Sequence, residues 1–282
     1  ERPLIMRLAT KALGHELSDA VIHAAVAIEL FEESAILLDD VLDEAEMCVN
    51  KKTAWRKYGI KETFIAHGIL SSLARRALLE SLKYANLSSE KSIEIMRLFE
   101  EIYRADYIGQ YIDMKSEKQV DFSVNDYFEM ISKTPGTQFG NALEIVCILT
   151  GNEELKGNLK QFGKLFGMAA QLRDDIIDII GDEEVVYKKL FTDIIRKKKR
   201  LPLILLLKKS PKYQEILKNS ISNRTLLRVI KDMKDLGILK VCMDNVKDLT
   251  DNAVKLLTEI KDGHYKRLLE QLTLMLSNFG EN

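Results

Sequence analysis

Two runs carry the carboxylates that could do chemistry together. "DDVLD" holds Asp39, Asp40 and Asp43, and "DDIID" holds Asp174, Asp175 and Asp178, 135 positions later (174 − 39). On a helix, residues i and i+4 share a face, so Asp39 projects with Asp43 and Asp174 with Asp178. Like charges at that spacing weaken a bare helix. The approach to each run is apolar or neutral, "AILL" before the first and "MAAQL" shortly before the second. Repelling carboxylates at the edge of a core are stabilised by a divalent cation. An all-oxygen donor set, with no His or Cys beside the second run, favours a hard ion such as Mg²⁺, which shares itself between carboxylates and substrate phosphates.

The elements that must position these residues are helices. Apolar residues recur at three and four, as in Val21, Ala24, Ala25, Ile28, Phe31, Ala35 and Leu38. No strand-like alternation is sustained. Only 4 Pro and 14 Gly interrupt 282 residues, which argues for long helices and short connections. Breaks are expected near Gly59, Asn86, Pro135, Gly151, Gly181 and Pro211, and caps at Ser88–Glu90 and Ser123–Asp126. With 46% hydrophobic residues, no internal repeat and no linker, residues 1–282 are expected to form one all-α domain, a helical bundle. The chain opens on Glu1-Arg2-Pro3 without Met, so the N-terminal segment is expected to be incomplete.

Bulk properties exclude several roles. A net charge of −1 gives no general attraction for nucleic acid. No apolar run reaches the ~18 residues of a membrane span, and "LPLILLL" from Leu201 reads as a buried helix start. Three scattered cysteines, Cys48, Cys147 and Cys242, fit a reducing, cytoplasmic setting. The basic run "RKKKR", Arg196 to Arg200, has the composition of a nucleic-acid or membrane patch, against which the balanced net charge argues.

The sequence resembles the trans-isoprenyl diphosphate synthases, the polyprenyl synthetase family, nearly end to end. The resemblance rests on "DDVLD", on "GQYID" at Gly109 to Asp113, on Lys133-Thr134, on Gln171 before "DDIID", and on Lys188 and Lys198 after it. Asp193-Ile194, Leu201-Pro202 and Arg2-Pro3 fall in register as well. It implies an all-α bundle around a deep central cavity, with the two Asp runs facing each other at its mouth. Three Mg²⁺ ions, held by Asp39, Asp40, Asp43, Asp174, Asp175 and Asp178, would clamp an allylic diphosphate there. Lys133, Lys188 and Lys198 would stabilise the leaving diphosphate, with Asp39, Asp40, Asp43 and Asp174 as catalytic carboxylates. Arg2, Thr134 and Gln171 complete the implied substrate contacts. Phe31, Ser34 and Ala35, a turn or two before the first run, would set product length at about C15–C20, with Phe99 or Tyr103 sharing the floor. The implied activity is condensation of an allylic prenyl diphosphate with isopentenyl diphosphate, in a homodimer.

Several positions depart from the family's pattern, among them Leu38 for a His and Tyr187 and Phe191 for glycines beside Lys188. Glu32 replaces a His, and Cys48 and Val49 replace the Arg-Arg behind the first run. A charge-assisted phosphate bond contributes ~1.5–3 kcal/mol, so these changes would weaken an acceptor diphosphate by roughly two to four decades, unless Lys51 or Lys52 swings inward. The alternative reading is a terpene-synthase-like lyase, or a prenyltransferase with another acceptor.

Overall fold

The computed structural model describes residues 1–48, 51–119, 121–181, 190–216 and 221–279. Helices α1 (Arg2–Ala12) and α2 (Asp19–Leu42) come first, and α2 starts where the Ser18 side chain accepts the Val21 N–H. At 1.5 Å per residue α2 is about 36 Å long. Its buried stripe, Val21, Ala24, Ala27, Ile28, Phe31 and Ser34, follows the three-and-four spacing. That stripe packs along α4 (Ile60–Tyr84), whose small residues Ser71, Ala74, Ala77 and Ser81 let the two backbones approach.

A two-residue hairpin, β1 (Met47–Cys48) against β2 (Lys51–Lys52), and a short α3 (Ala54–Tyr58) join α2 to α4. The Trp55 indole and the Thr53 hydroxyl both donate to the Ala45 carbonyl, at 2.7 and 2.6 Å, and fix this connection.

Helices α5 (Ser89–Lys118) and α6 (Val124–Ile131) begin at the two caps expected from sequence. Ser88 accepts from Lys91, and Ser123 with Asp126 forms a reciprocal capping box. The expected break at Pro135 is not a break. The chain passes from α6 through a π-helical turn, Ser132–Gly136, straight into α7 (Thr137–Thr150). The wider turn removes the clash between a proline ring and the carbonyl four residues back, so helical direction survives. Helix α8 (Lys156–Ile180) then packs along α7.

Beyond it lie α9 (Thr192–Arg196), α10 (Leu201–Lys209), α11 (Lys212–Ile216), α12 (Asn223–Asp235), α13 (Ile238–Lys255) and α14 (His264–Met275). Pro202 sits in the first turn of α10, where its missing N–H costs nothing. The core has two regions. One joins α1, α2, α4, α5, α7, the N-terminal half of α8, the end of α13 and α14 around Ile28, Phe99, Ile102 and Phe162. The other joins α6, the C-terminal half of α8 and the later helices around Tyr127, Leu172, Ile204 and Val229, and Leu276 packs against both. No described helix is long and apolar enough to cross a membrane.

Candidate active site

Both Asp runs occupy the C-terminal turns of long helices, α2 and α8. Carbonyls crowd that end of a helix and its dipole is negative, which costs a carboxylate there ~0.3–1 kcal/mol. Neither helix has a basic residue in its last turn. The compensating charge must come from elsewhere in the fold.

Much of it comes from the basic run after α9. Lys197 takes a left-handed conformation (φ 65°) and ends α9, and the Arg200 N–H then donates to the Lys198 carbonyl at 2.9 Å, which makes a tight turn at Lys199. That turn sends Lys198 and Arg200 to Asp113 and Lys199 to the end of α5. The Lys198 ammonium is buried between Asp43 Oδ2 (2.7 Å) and Asp113 Oδ2 (2.6 Å). The Arg200 guanidinium donates to Asp113 Oδ1 at 2.7 Å and to Asp193 Oδ2 at 3.2 Å, and lies 3.7 Å from Asp175 Oδ1. Lys199 instead holds backbone carbonyls at the end of α5, those of Ser116 and Glu117. Arg196 meets Asp43 Oδ1 at 3.3 Å, Glu117 at 3.0 Å and the Leu42 carbonyl at 3.4 Å, which supplies the missing cation at the end of α2.

Two adjoining cavities, of about 120 and 150 Å³, open beside Asp39 of the first run, and Gln171, which donates to Asp175, marks the side of the second. Asp39, Gln110, Thr134 and Gln171 line both. The first also touches Asp113 and Arg200, and the second Arg2, Glu32, Ala35 and Asp106. Thr134 reaches this place through the π turn and through Gly109. A Cβ at Gly109 would stand 2.3 Å from Thr134 Cγ2, so only glycine lets α5 pass the turn so closely. The spacings of "GQYID" and "KT" thus share one steric cause.

Burial, and then the neighbouring Asp43, push the Asp39 carboxyl well above the usual carboxylate range. The same causes raise half-buried Asp40 to about 6. Among the described residues no hydrogen bond or ion pair reaches either carboxyl directly. These desolvated oxygens beside a small cavity fit a hard divalent cation, which would return both groups to their charged form. The second run is arranged differently. Asp174 is exposed and Asp178 buried. Asp175 accepts from the Tyr127 hydroxyl at 2.6 Å and from Gln171 at 3.0 Å. Burial keeps Asp175 raised, with Arg200 working against the shift. Asp113 is buried too, yet Arg200 and Lys198 hold it below its ordinary value. No three His, Cys, Asp or Glu among the described residues already surround one metal position.

The remaining expected residues divide. Arg2 lines the second cavity, but Glu32 pairs with it at 3.0 Å, Gln138 accepts from it at 2.8 Å, and it lies over the Phe139 ring. Asp106 stands beside them, raised to about 7 by burial and then by Glu32 and Asp39. Lys133 turns away from the cavities toward Glu129, 3.5 Å off. Ala35 lines the cavity, whereas Ser34 is buried against α4, hydrogen-bonded to Ser71 at 2.7 Å and to His67 at 3.0 Å. Phe31, one turn below Ala35, meets Tyr103 edge to face at 4.5 Å, and Tyr103 meets Phe99 at 5.5 Å. Cys48, Lys51 and Lys52 lie exposed on the hairpin. Tyr187, Lys188 and Val49 lie outside the described residues.

Asp113 and Gln110 stand in "GQYID", and Arg196 and Arg200 in the basic run, but the sequence gives none of the four an individual role. Tyr127, Asp106 and Gln138 carry no local signal.

Comparison with known proteins follows this geometry. A geranylgeranyl pyrophosphate synthase of Geoglobus acetivorans is 28% identical over 272 residues, covering 96% of this chain and 83% of that protein. A geranylfarnesyl diphosphate synthase of Aeropyrum pernix is 27% identical, covering 96% and 87%. The crystal structure of a geranylgeranyl pyrophosphate synthetase from Pyrococcus horikoshii Ot3 superposes with a TM-score of 0.89 at 26% identity, over 99% of this chain and 85% of that one. The family model described as polyprenyl synthetase matches residues 1–235, from α1 to the end of α12. The fold, the paired Asp runs and these matches agree: the chain belongs to the polyprenyl synthetase family.

Proposed function

We propose that this chain is a Mg²⁺-dependent trans-prenyltransferase, which condenses an allylic prenyl diphosphate with isopentenyl diphosphate to a longer prenyl diphosphate. The observation that carries this reading is the convergence of Asp39, Thr134, Gln171 and Arg200 on one cavity. When bound, Mg²⁺ would supply Lewis-acid stabilisation of the departing diphosphate. Asp39 and Asp40 of the first run and Asp174 of the second are the carboxylates assigned to it.

The chain's own groups do the rest. Arg200 presents fixed positive charge where the diphosphate leaves with the C1–O electron pair. Thr134, Gln110 and Gln171 orient its oxygens by hydrogen bonding. The apolar wall beyond Ala35, closed by Phe31 and Tyr103, keeps water from the allylic cation and bounds the prenyl tail at about C15–C20. The double bond of isopentenyl diphosphate attacks C1, and loss of a proton from its C2 restores an alkene. Lys133 and Lys188 are assigned to the diphosphate on the sequence pattern, and Lys133 must leave Glu129 to reach it. We also propose one catalytic domain acting as a homodimer, consistent with the exposed stripe Ile65, Ile69 and Leu73 on α4.

One observation favours a second reading. The Arg2 guanidinium is neutralised by Glu32, with raised Asp106 beside it, so the acceptor side is acidic. A hydroxyl acceptor or water suits such a pocket better than a diphosphate. Diphosphate release from farnesyl diphosphate, with Mg²⁺ or EDTA and with or without isopentenyl diphosphate, separates the two. Release that needs both Mg²⁺ and isopentenyl diphosphate supports condensation. Release that is Mg²⁺-dependent and indifferent to isopentenyl diphosphate supports the second reading, and release that ignores Mg²⁺ contradicts both.

A further inference from the structure

We propose that Arg200 is a resident cation of the diphosphate pocket, a guanidinium built into the chain that occupies the charge position of one of the three divalent ions the family resemblance implies. The inference rests on the reading of this cavity as a diphosphate site.

Arg200 follows the tight turn at Lys199 and enters the wall that also carries Asp39, Gln110, Thr134 and Gln171. Its side chain is 13% exposed, so it is not a surface ion pair of little consequence. The fork bridges carboxylates on three separate helices: Asp113 on α5, Asp175 on α8 and Asp193 on α9. Joining carboxylates from facing helices is the geometric task of a bridging metal ion. A guanidinium can perform it because its planar donors point several ways at once, while an ammonium is a compact point charge.

The acceptor side of this arrangement is equally specific. Asp175 Oδ2 takes the Tyr127 hydroxyl, and Oδ1 takes Gln171 with Arg200 behind it. Asp43 is engaged on both oxygens as well, Oδ1 by Arg196 and Oδ2 by Lys198. One carboxylate in each Asp run is therefore paired with protein cations, Asp43 with Arg196 and Lys198 and Asp175 with Arg200 at 3.7 Å. A metal ion that needed Asp43 or Asp175 would have to displace a buried, hydrogen-bonded cation. The structure thus assigns at most two divalent ions to the pocket, with Arg200 supplying the remaining positive charge.

Counting bound Mn²⁺ tests this, with free Mn²⁺ followed by electron paramagnetic resonance and inorganic pyrophosphate present at one equivalent per chain. The expected result is one or two Mn²⁺ per wild-type chain. Three overturns the inference and leaves the prenyltransferase reading standing, whereas no uptake at all overturns both. Arg200→Gln keeps hydrogen bonding but removes the charge. It is expected to gain one Mn²⁺ and, in EDTA, to melt lower than wild type with a larger recovery on adding Mg²⁺. An unchanged count in folded Arg200→Gln overturns the inference. If that variant does not fold, the wild-type count decides alone.

Discussion

Asp39 carries the electrostatic cost of the first run. Its carboxyl is desolvated and lies near Asp43, and no described side chain bonds to it. Asp39→Asn removes that burden together with the proposed metal ligand. We expect kcat to fall by about 10²–10³-fold, on the scale of losing one electrostatic stabiliser. Thermal melting in EDTA should rise by a few degrees; a lower melting temperature would contradict the account of Asp39. The same logic gives a pH dependence. Asp40 and Asp106 titrate near 6 and 7 in the fold but near 3.9 in the unfolded chain. Between about pH 4 and 7 the unfolded chain therefore releases protons that the fold retains. The metal-free protein should lose stability as pH rises through that window. Asp113, held low by Arg200 and Lys198, acts in the opposite sense, and only below about pH 4. Melting curves in EDTA at pH 5 and 7.5 check this, and Mg²⁺ should raise the melting temperature more at pH 7.5.

The helices place these residues by close approach. Against the π turn, α8 comes so near that a Cβ on Gly167 would lie 2.5 Å from the Pro135 carbonyl oxygen. Gly167→Ala must push α8 off the turn that carries Thr134. A loss of ~1–3 kcal/mol is expected from overpacking, with KM for the allylic diphosphate raised at least several-fold. Unchanged KM would mean that the turn does not position substrate. On α2, Phe31→Ala should lengthen the product by one or more C5 units, read by chromatography, and should cost ~3–5 kcal/mol for the vacated aromatic volume. The helices, their caps and both Asp runs were legible in the sequence, because 3.6 periodicity, Ser caps and i,i+4 carboxylates are local signals. Three features were not. The π turn at Pro135 depends on a register change that no local residue announces. Whether Ser34 faces the cavity or α4 depends on Ser71 and His67, more than 30 positions away. The pairing of Glu32 with Arg2 joins residues that only the packing of α1 on α2 brings together.

At the scale of the whole molecule, the fold resolves a charge conflict. Two helices end in carboxylates, and the stretch from Arg196 to Arg200 returns three cations to them, Arg196 and Lys198 to Asp43 and Arg200 to within 3.7 Å of Asp175. The hairpin leaves Lys51 and Lys52 in solvent, so among the described residues the proposed acceptor side keeps Arg2, paired with Glu32. An acceptor diphosphate can bind there only if it competes with Glu32 for that guanidinium. Turnover with isopentenyl diphosphate should therefore show a high KM for it, lowered by about tenfold or more in Glu32→His. The most direct test of the central claim is incorporation of radiolabelled isopentenyl diphosphate into product, with Mg²⁺ and farnesyl diphosphate as the allylic partner. Label in a C20 or longer prenyl diphosphate, abolished by EDTA and by Asp39→Asn, is the predicted result. Mg²⁺-dependent consumption of farnesyl diphosphate with no label in any product would contradict it.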